Sequence, residues 1–460
     1  VALNFARETW ILHANVVTQN ARREVRRANV RIIDGWIDAI VEPARMPKTS
    51  RFARVIEARD ITLLPGFVQA HVHLCQTLFR NQADDLELLD WLKKKIWKME
   101  AAHTRETLYV SAHLGIHELL SSGTTCILDM GTVRHTEAIL EAVRETGIRA
   151  SVGKCLMDNP KTTPRELREP TEAALEEACR LHDRWNGREK DRIRVSFAPR
   201  FVVSCTDKLM RAVADEARAR KAVVHTHASE NRKEIALVKR MFGRENIEQL
   251  DHWGLASKRL VLAHCVWLNE REKKILRRTG THVAHCPGSN LKLASGIAEI
   301  PDLKRRGINV ALGADGAPCN NNLDMFREMR LAALIHKPGA GPKAMRAQTV
   351  LDMATRDGAR ALSWSEHIGS IEVGKRADII GLDLTTPSNY VPEAQRLDPR
   401  AVASAIVYSS GAEHLRFTMV DGRVLWQPKD RENPALSALA EKALREIHRT
   451  MGGKPRGARA

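Results

Sequence analysis

Eight short apolar runs, each ending in polar residues and each followed by a longer stretch with helical spacing, occupy the chain from residue 63 to residue 315. They are 63–70, 124–129, 149–154, 193–198, 222–227, 260–264, 281–285 and 309–315. Strands separated by crossover helices pair in parallel. Eight such units argue for closure into a barrel rather than an open sheet. The predicted fold class is therefore α/β, a (β/α)8 TIM barrel.

The ends of the chain carry a different rhythm. Runs 10–17, 29–33 and 36–41 are β-type and separated by Arg, Asn and Gly breaks, which suits antiparallel pairing. After a helical stretch at 344–362, β signals return at 377–384, 403–408 and 417–424, the last holding the hairpin turn signal Asp421-Gly422. A few strands alone are marginal, so both ends are expected to pair into one small composite β-sandwich. The expected domains are 1–60 plus 370–430 for that sandwich and 61–369 for the barrel. Residues 431–460 should form a C-terminal helix and, from Met451, a disordered basic tail.

Composition removes several classes of function. No apolar run approaches the ~20 residues of a membrane span, and Asn4, Arg7 and Glu8 interrupt the start where a signal peptide needs an apolar block. A cytoplasmic enzyme with no membrane partner is expected. The net charge is +17, but the basic residues are scattered among acids and aromatics are only 5%, so a solvated surface is expected and no nucleic-acid partner. The eight cysteines form no CxxC pair and read as reduced.

The polar ends of the runs carry the chemistry. His71 and His73 close the first run, and residues two apart on a strand face one side, so both imidazoles can reach one ion. The fifth run ends in His225-Thr226-His227-Ala228-Ser229-Glu230, the sixth in Ala263-His264-Cys265 and the eighth in Gly313-Ala314-Asp315-Gly316. Two histidines from the first strand, one from the fifth and a carboxylate from the eighth make a set suited to Zn2+ or Fe2+. The C-terminal ends of barrel strands are where such folds build active sites.

These segments, PGFVQAHVH, HASE, LAHC, AHCPGSNLKLASG, ALGADGAPCNNN and IGSIEVGKRADIIGLD, occur in an order that resembles the amidohydrolase superfamily over almost the whole chain. The likeness is to its mononuclear aminohydrolases, which include guanine, adenosine-derivative and s-triazine hydrolases. It implies His71, His73, His227 and Asp315 as metal ligands and Glu230, His264 and Asp315 as catalytic groups. The family spacing HxxE selects His227 over His225. No lysine ends the fourth strand, where binuclear relatives carry one, so one divalent ion is expected, Zn2+ first and Fe2+ second. Lys154, ending the third run, is not that lysine.

The implied reaction is hydrolytic deamination. Water activated by the metal, its proton taken by Asp315, attacks an amine-bearing ring carbon while Glu230 protonates the neighbouring ring nitrogen. Asp315 then returns a proton to the amine, and His264 bonds the attacking oxygen. Gln76, Arg200 and Phe201 resemble the guanine deaminase pocket, which makes a guanine-like aminopurine the expected small-molecule substrate. Glu100 matches a position that meets ribose hydroxyls in methylthioadenosine and S-adenosylhomocysteine deaminases, the basis of a second alternative, although those enzymes place a histidine at Arg200. The first alternative is a non-nucleobase C–N or C–S bond, as in s-triazine, phenylurea or thiocarbamate herbicides. Trp91 is assigned to the substrate pocket, with core packing as the competing reading. Asn81 and Lys98 depart from the family's Gly and Pro. A homodimer is expected.

Overall fold

The computed structural model describes residues 7–45 and 52–452; the end of the basic tail lies outside them. The eight runs form the barrel. Its parallel strands are Phe67–His73, Thr124–Asp129, Arg149–Leu156, Ile193–Pro199, Val224–Ala228, Leu260–His264 and His282–His285, with the eighth in two pieces, Val310–Leu312 and Asp315–Gly316. That break closes the ring: Val310 pairs with Val283 of the seventh strand, and Asp315 pairs with Val72 of the first. Gly313 stands between the pieces because a Cβ there would meet the His71 carbonyl oxygen at 2.7 Å. Only a residue without a side chain lets the eighth strand approach the first so closely.

The first run divides at Pro65-Gly66. Its earlier part, Ile61–Pro65, belongs to a second sheet, and only Phe67–His73 joins the barrel. In that second sheet Arg423–Trp426, Leu415–Val420, Ile379–Asp383, Ile61–Pro65, Glu8–Val17, Val25–Ile33 and Trp36–Val41 follow one another, with Arg54–Glu57 beside Glu8–Val17. Both ends of the chain thus build one sheet around its own apolar cluster, including Ile11, Val30, Ile37, Ile379 and Phe417.

The expected strand at 403–408 is a helix instead. Asp398 caps it through the Arg400 amide, Pro399 opens it, and Pro399–Ser404 runs on into a wider turn at Ala405–Ser409. A short buried apolar run has no period that separates strand from helix, and here the cap and N1 proline decide. The C-terminal helix, Pro434–Thr450, packs Ala443 and Ile447 against Leu78 and Phe79, just beyond the first barrel strand. Among the described residues no helix is long and apolar enough to cross a membrane.

A buried ion pair joins barrel and second sheet. Arg149 Nε donates to Asp378 Oδ2 at 2.7 Å and Nη2 to Oδ1 at 3.0 Å, both side chains being 1% exposed. Removing Asp378 leaves the buried guanidinium only the more distant Asp421 carboxylate, 3.9 Å from Nη2, so Asp378→Ala should cost up to about 3–5 kcal/mol. Denaturant unfolding of the variant should show this as a lower midpoint; an unchanged midpoint would mean water replaces the carboxylate without penalty.

Candidate active site

His71, His73, His227 and Asp315 converge at the C-terminal mouth of the barrel, their donor atoms all within 4.8 Å of one another. His71 Nε2 and His73 Nε2 lie 3.2 and 3.4 Å from Asp315 Oδ1, and His73 Nε2 lies 3.2 Å from His227 Nε2. The strands end in strained backbone here, with φ of 54° at Ser229, 73° at His264 and 64° at Asp315. Non-glycine residues in this region cost energy and concentrate where function holds them.

Hydrogen bonds around the cluster fix which nitrogens point inward. His227 Nδ1 donates to the Arg200 carbonyl at 2.7 Å, leaving its Nε2 lone pair facing His73. His71 Nδ1 lies 2.8 Å from His225 Nε2, and His71 Nε2 has no hydrogen-bond partner among the described residues. Burial holds His71 below its usual pKa and His73 and His227 well below it, which favours the neutral rings. Burial works against charge on Asp315, but His71 and His264 outweigh it and hold its carboxyl well below the usual range. Neutral imidazole nitrogens facing one another beside a carboxylate repel unless a cation lies among them, and this donor set fits a divalent ion.

Glu230 and His264 flank the cluster. His264 Nε2 lies 3.4 Å from Glu230 Oε2 and 3.8 Å from Asp315 Oδ2. Burial pushes the Glu230 carboxyl up. On His264, burial opposes charge, but the Glu230 and Asp315 carboxylates outweigh it and raise the ring's pKa. Partners for all three groups come from AHCPGSNLKLASG, whose individual roles are not legible from sequence. Ser289 donates to Asp315 Oδ2 at 2.6 Å, Asn290 Oδ1 accepts from His264 Nδ1 at 2.8 Å, and Ser295 donates to Glu230 Oε1 at 3.0 Å. His225, passed over in favour of His227 by the family spacing, orients His71. The signal for all four was a polar side chain within a segment already tied to the site, which names a neighbourhood and not a contact.

A cavity opens beside the cluster, and Gln76, Trp91, Arg200 and Phe201 are among the residues that line it. Glu100 is not among its lining residues. It is buried next to them, and the donors of the expected guanine-like pocket are bonded to it: Arg200 Nη1 to Oε2 at 2.5 Å, Arg200 Nη2 to Oε1 at 3.1 Å, and Gln76 Nε2 to Oε1 at 2.8 Å. Trp91 is both wall and core, 4% exposed, with an indole N–H that has no partner among the described residues.

The two departures from the family pattern lie away from the cavity wall. Asn81 has φ 62° and accepts from Asn321 Nδ2 at 2.9 Å, so asparagine takes a left-handed position that suits glycine. Lys98 is solvent-exposed. Lys154 turns away from the cluster to Glu169 at 2.7 Å.

Residues 62–425 match the amidohydrolase family. The chain belongs to that family. It is 38% identical over 401 residues to the 5-methylthioadenosine/S-adenosylhomocysteine deaminase of Syntrophobacter fumaroxidans, covering 87% of this chain and 88% of the relative. It is 40% identical over 408 residues to the 5'-deoxyadenosine deaminase of Methanobrevibacter smithii, covering 88% and 89%. Among solved structures, an adenosine deaminase from Xanthomonas campestris with bound zinc superposes with a TM-score of 0.86 at 32% identity, covering 96% of this chain and 98% of that one. This amidohydrolase is a hydrolase of C–N bonds other than peptide bonds, of the aminohydrolase type. The guanine-like substrate expected from Gln76 and Arg200 is not what these relatives are named for; the adenosine-derivative alternative is.

Proposed function

We propose that this amidohydrolase removes the exocyclic amine of an adenosine derivative substituted at the 5' position, of the 5'-deoxyadenosine or 5'-methylthioadenosine class, with one divalent ion, Zn2+. The observation that carries the reading is the occupation of the Arg200 fork and the Gln76 amide N–H by Glu100. A guanine pocket needs those donors for the carbonyl edge of the base, and an adenine ring has no such carbonyl. The kinship to deaminases of these nucleosides at 38–40% identity supports it.

His71, His73, His227 and Asp315 would hold the ion, which supplies Lewis-acid activation of a water when bound. Asp315, its Oδ2 steadied by Ser289, takes a proton from that water and delivers one to the departing amine. Glu230, kept protonated more readily by burial, donates to the ring nitrogen beside the attacked carbon, so negative charge does not build up there. His264 is aligned by Asn290 to donate from Nε2 to the attacking oxygen.

Ammonia release from 5'-deoxyadenosine, 5'-methylthioadenosine, S-adenosylhomocysteine, guanine, s-triazines and N-aryl ureas tests the assignment. The adenosine derivatives should exceed guanine in kcat/KM by about a hundredfold or more, the scale at which a pocket built for one hydrogen-bonding edge rejects another. Turnover of guanine alone, or of an aryl urea alone, would overturn it.

A further inference from the structure

The Glu100 network fixes one atom that the reaction described above leaves unused. Gln76 is fully buried, its Nε2 donates to Glu100, and its Oε1 has no hydrogen-bond partner among the described residues. Glu100 is held by both arms of the Arg200 guanidinium, side chains 3% and 4% exposed, which is the pairing of an ionised carboxylate. An ionised carboxylate only accepts hydrogen bonds, so the amide must turn its N–H2 toward it and its carbonyl away. That carbonyl lies over Gly316: a Cβ on Gly316 would come within 2.0 Å of Gln76 Oε1, so the absence of a side chain there gives the oxygen its place. Gly316 follows Asp315, and Gln76 and Asp315 line the same cavity.

We infer that Gln76 presents a fixed carbonyl oxygen to the amine of the substrate, and that Glu100 and Arg200 are positioning residues that set its direction. The inference rests on the deaminase reading, in which Asp315 serves the departing amine, so the neighbouring oxygen is on the amine's side of the ring. A fixed acceptor distinguishes the two ends of the reaction. It pairs with the N–H of the substrate amine, whereas the carbonyl that replaces the amine in the product sets oxygen against oxygen and leaves a buried acceptor unpaired. The same device favours product release and turns away rings that carry a carbonyl at that edge.

The test uses the metal-loaded enzyme in two stages. Wild-type turnover of 5'-deoxyadenosine comes first; no turnover of any adenosine derivative defeats the functional reading, and the second stage then uses whichever amine is hydrolysed and its own product. The second stage compares kcat/KM for the amine with the calorimetric Kd of the carbonyl product, 5'-deoxyinosine for this substrate, in wild type, Gln76→Met and Glu100→Gln. Gln76→Met keeps the Glu100–Arg200 pair and removes the acceptor. It should lower kcat/KM about tenfold or more while product binding holds or tightens. Glu100→Gln frees the amide to turn its N–H toward a carbonyl and should tighten product binding about tenfold. Should that variant fail to fold, Gln76→Met decides alone. Equal weakening of substrate and product in Gln76→Met, or no change in either, would overturn the inference.

Discussion

His73→Ala is expected to lose metal and activity together, with turnover falling by about 10³-fold or more as the ion's activation of water disappears. His73 Nε2 lies between His227 Nε2 at 3.2 Å and Asp315 Oδ1 at 3.4 Å. Among the described residues, three nitrogens and one carboxylate make up the candidate donor set, and the variant removes one of the three nitrogens. His225 Nε2 already faces His71 Nδ1, and Lys154 is bonded to Glu169. Metal content by elemental analysis, read beside kcat on the same preparation, checks the result. About one ion per chain in wild type and a small fraction of that in the variant is the expected pair of values. A variant that keeps both metal and turnover would put the site elsewhere, and two tightly held ions in wild type would contradict a mononuclear centre.

The barrel was legible in the sequence because its signal repeats. Eight apolar runs each end in polar residues, and the error at any one boundary, such as the split at Pro65-Gly66, leaves the count intact. The helix at Pro399–Ser404 was not legible as such, because the buried run after it satisfies strand and helix alike and only Asp398-Pro399 marks the difference. At the site, residues whose chemistry is written in their type and strand position could be named: His71, His73, His227 and Asp315 do converge. Side-chain partners were harder. Arg200 and Gln76 face the cavity, yet whether a donor is spent on a protein group or kept for a ligand depends on what lies beside it. Glu100, 100 residues from Arg200 in sequence, is buried with it through tertiary packing that no local pattern encodes. Ser289, Asn290 and Ser295 escaped for the same reason.

Glu230→Gln should keep the metal and lose most of the turnover, about 10²–10⁴-fold, the usual contribution of a positioned proton donor. Glu230 lies outside the four-residue donor set, and its Oε1 is held by Ser295 at 3.0 Å while Oε2 faces His264 Nε2 at 3.4 Å. An amide of the same size can still accept from Ser295, so the variant changes chemistry more than shape. It cannot deliver a proton to a ring nitrogen, and the attack on the neighbouring carbon then leaves charge on that nitrogen with nothing to neutralise it. KM should move much less than kcat, because the missing proton transfer belongs to the transition state and not to the bound substrate. Full activity in the variant would reject the proton-transfer role. Loss of metal would make Glu230 a ligand in its own right, and the four-donor description of the centre would have to be extended to include it.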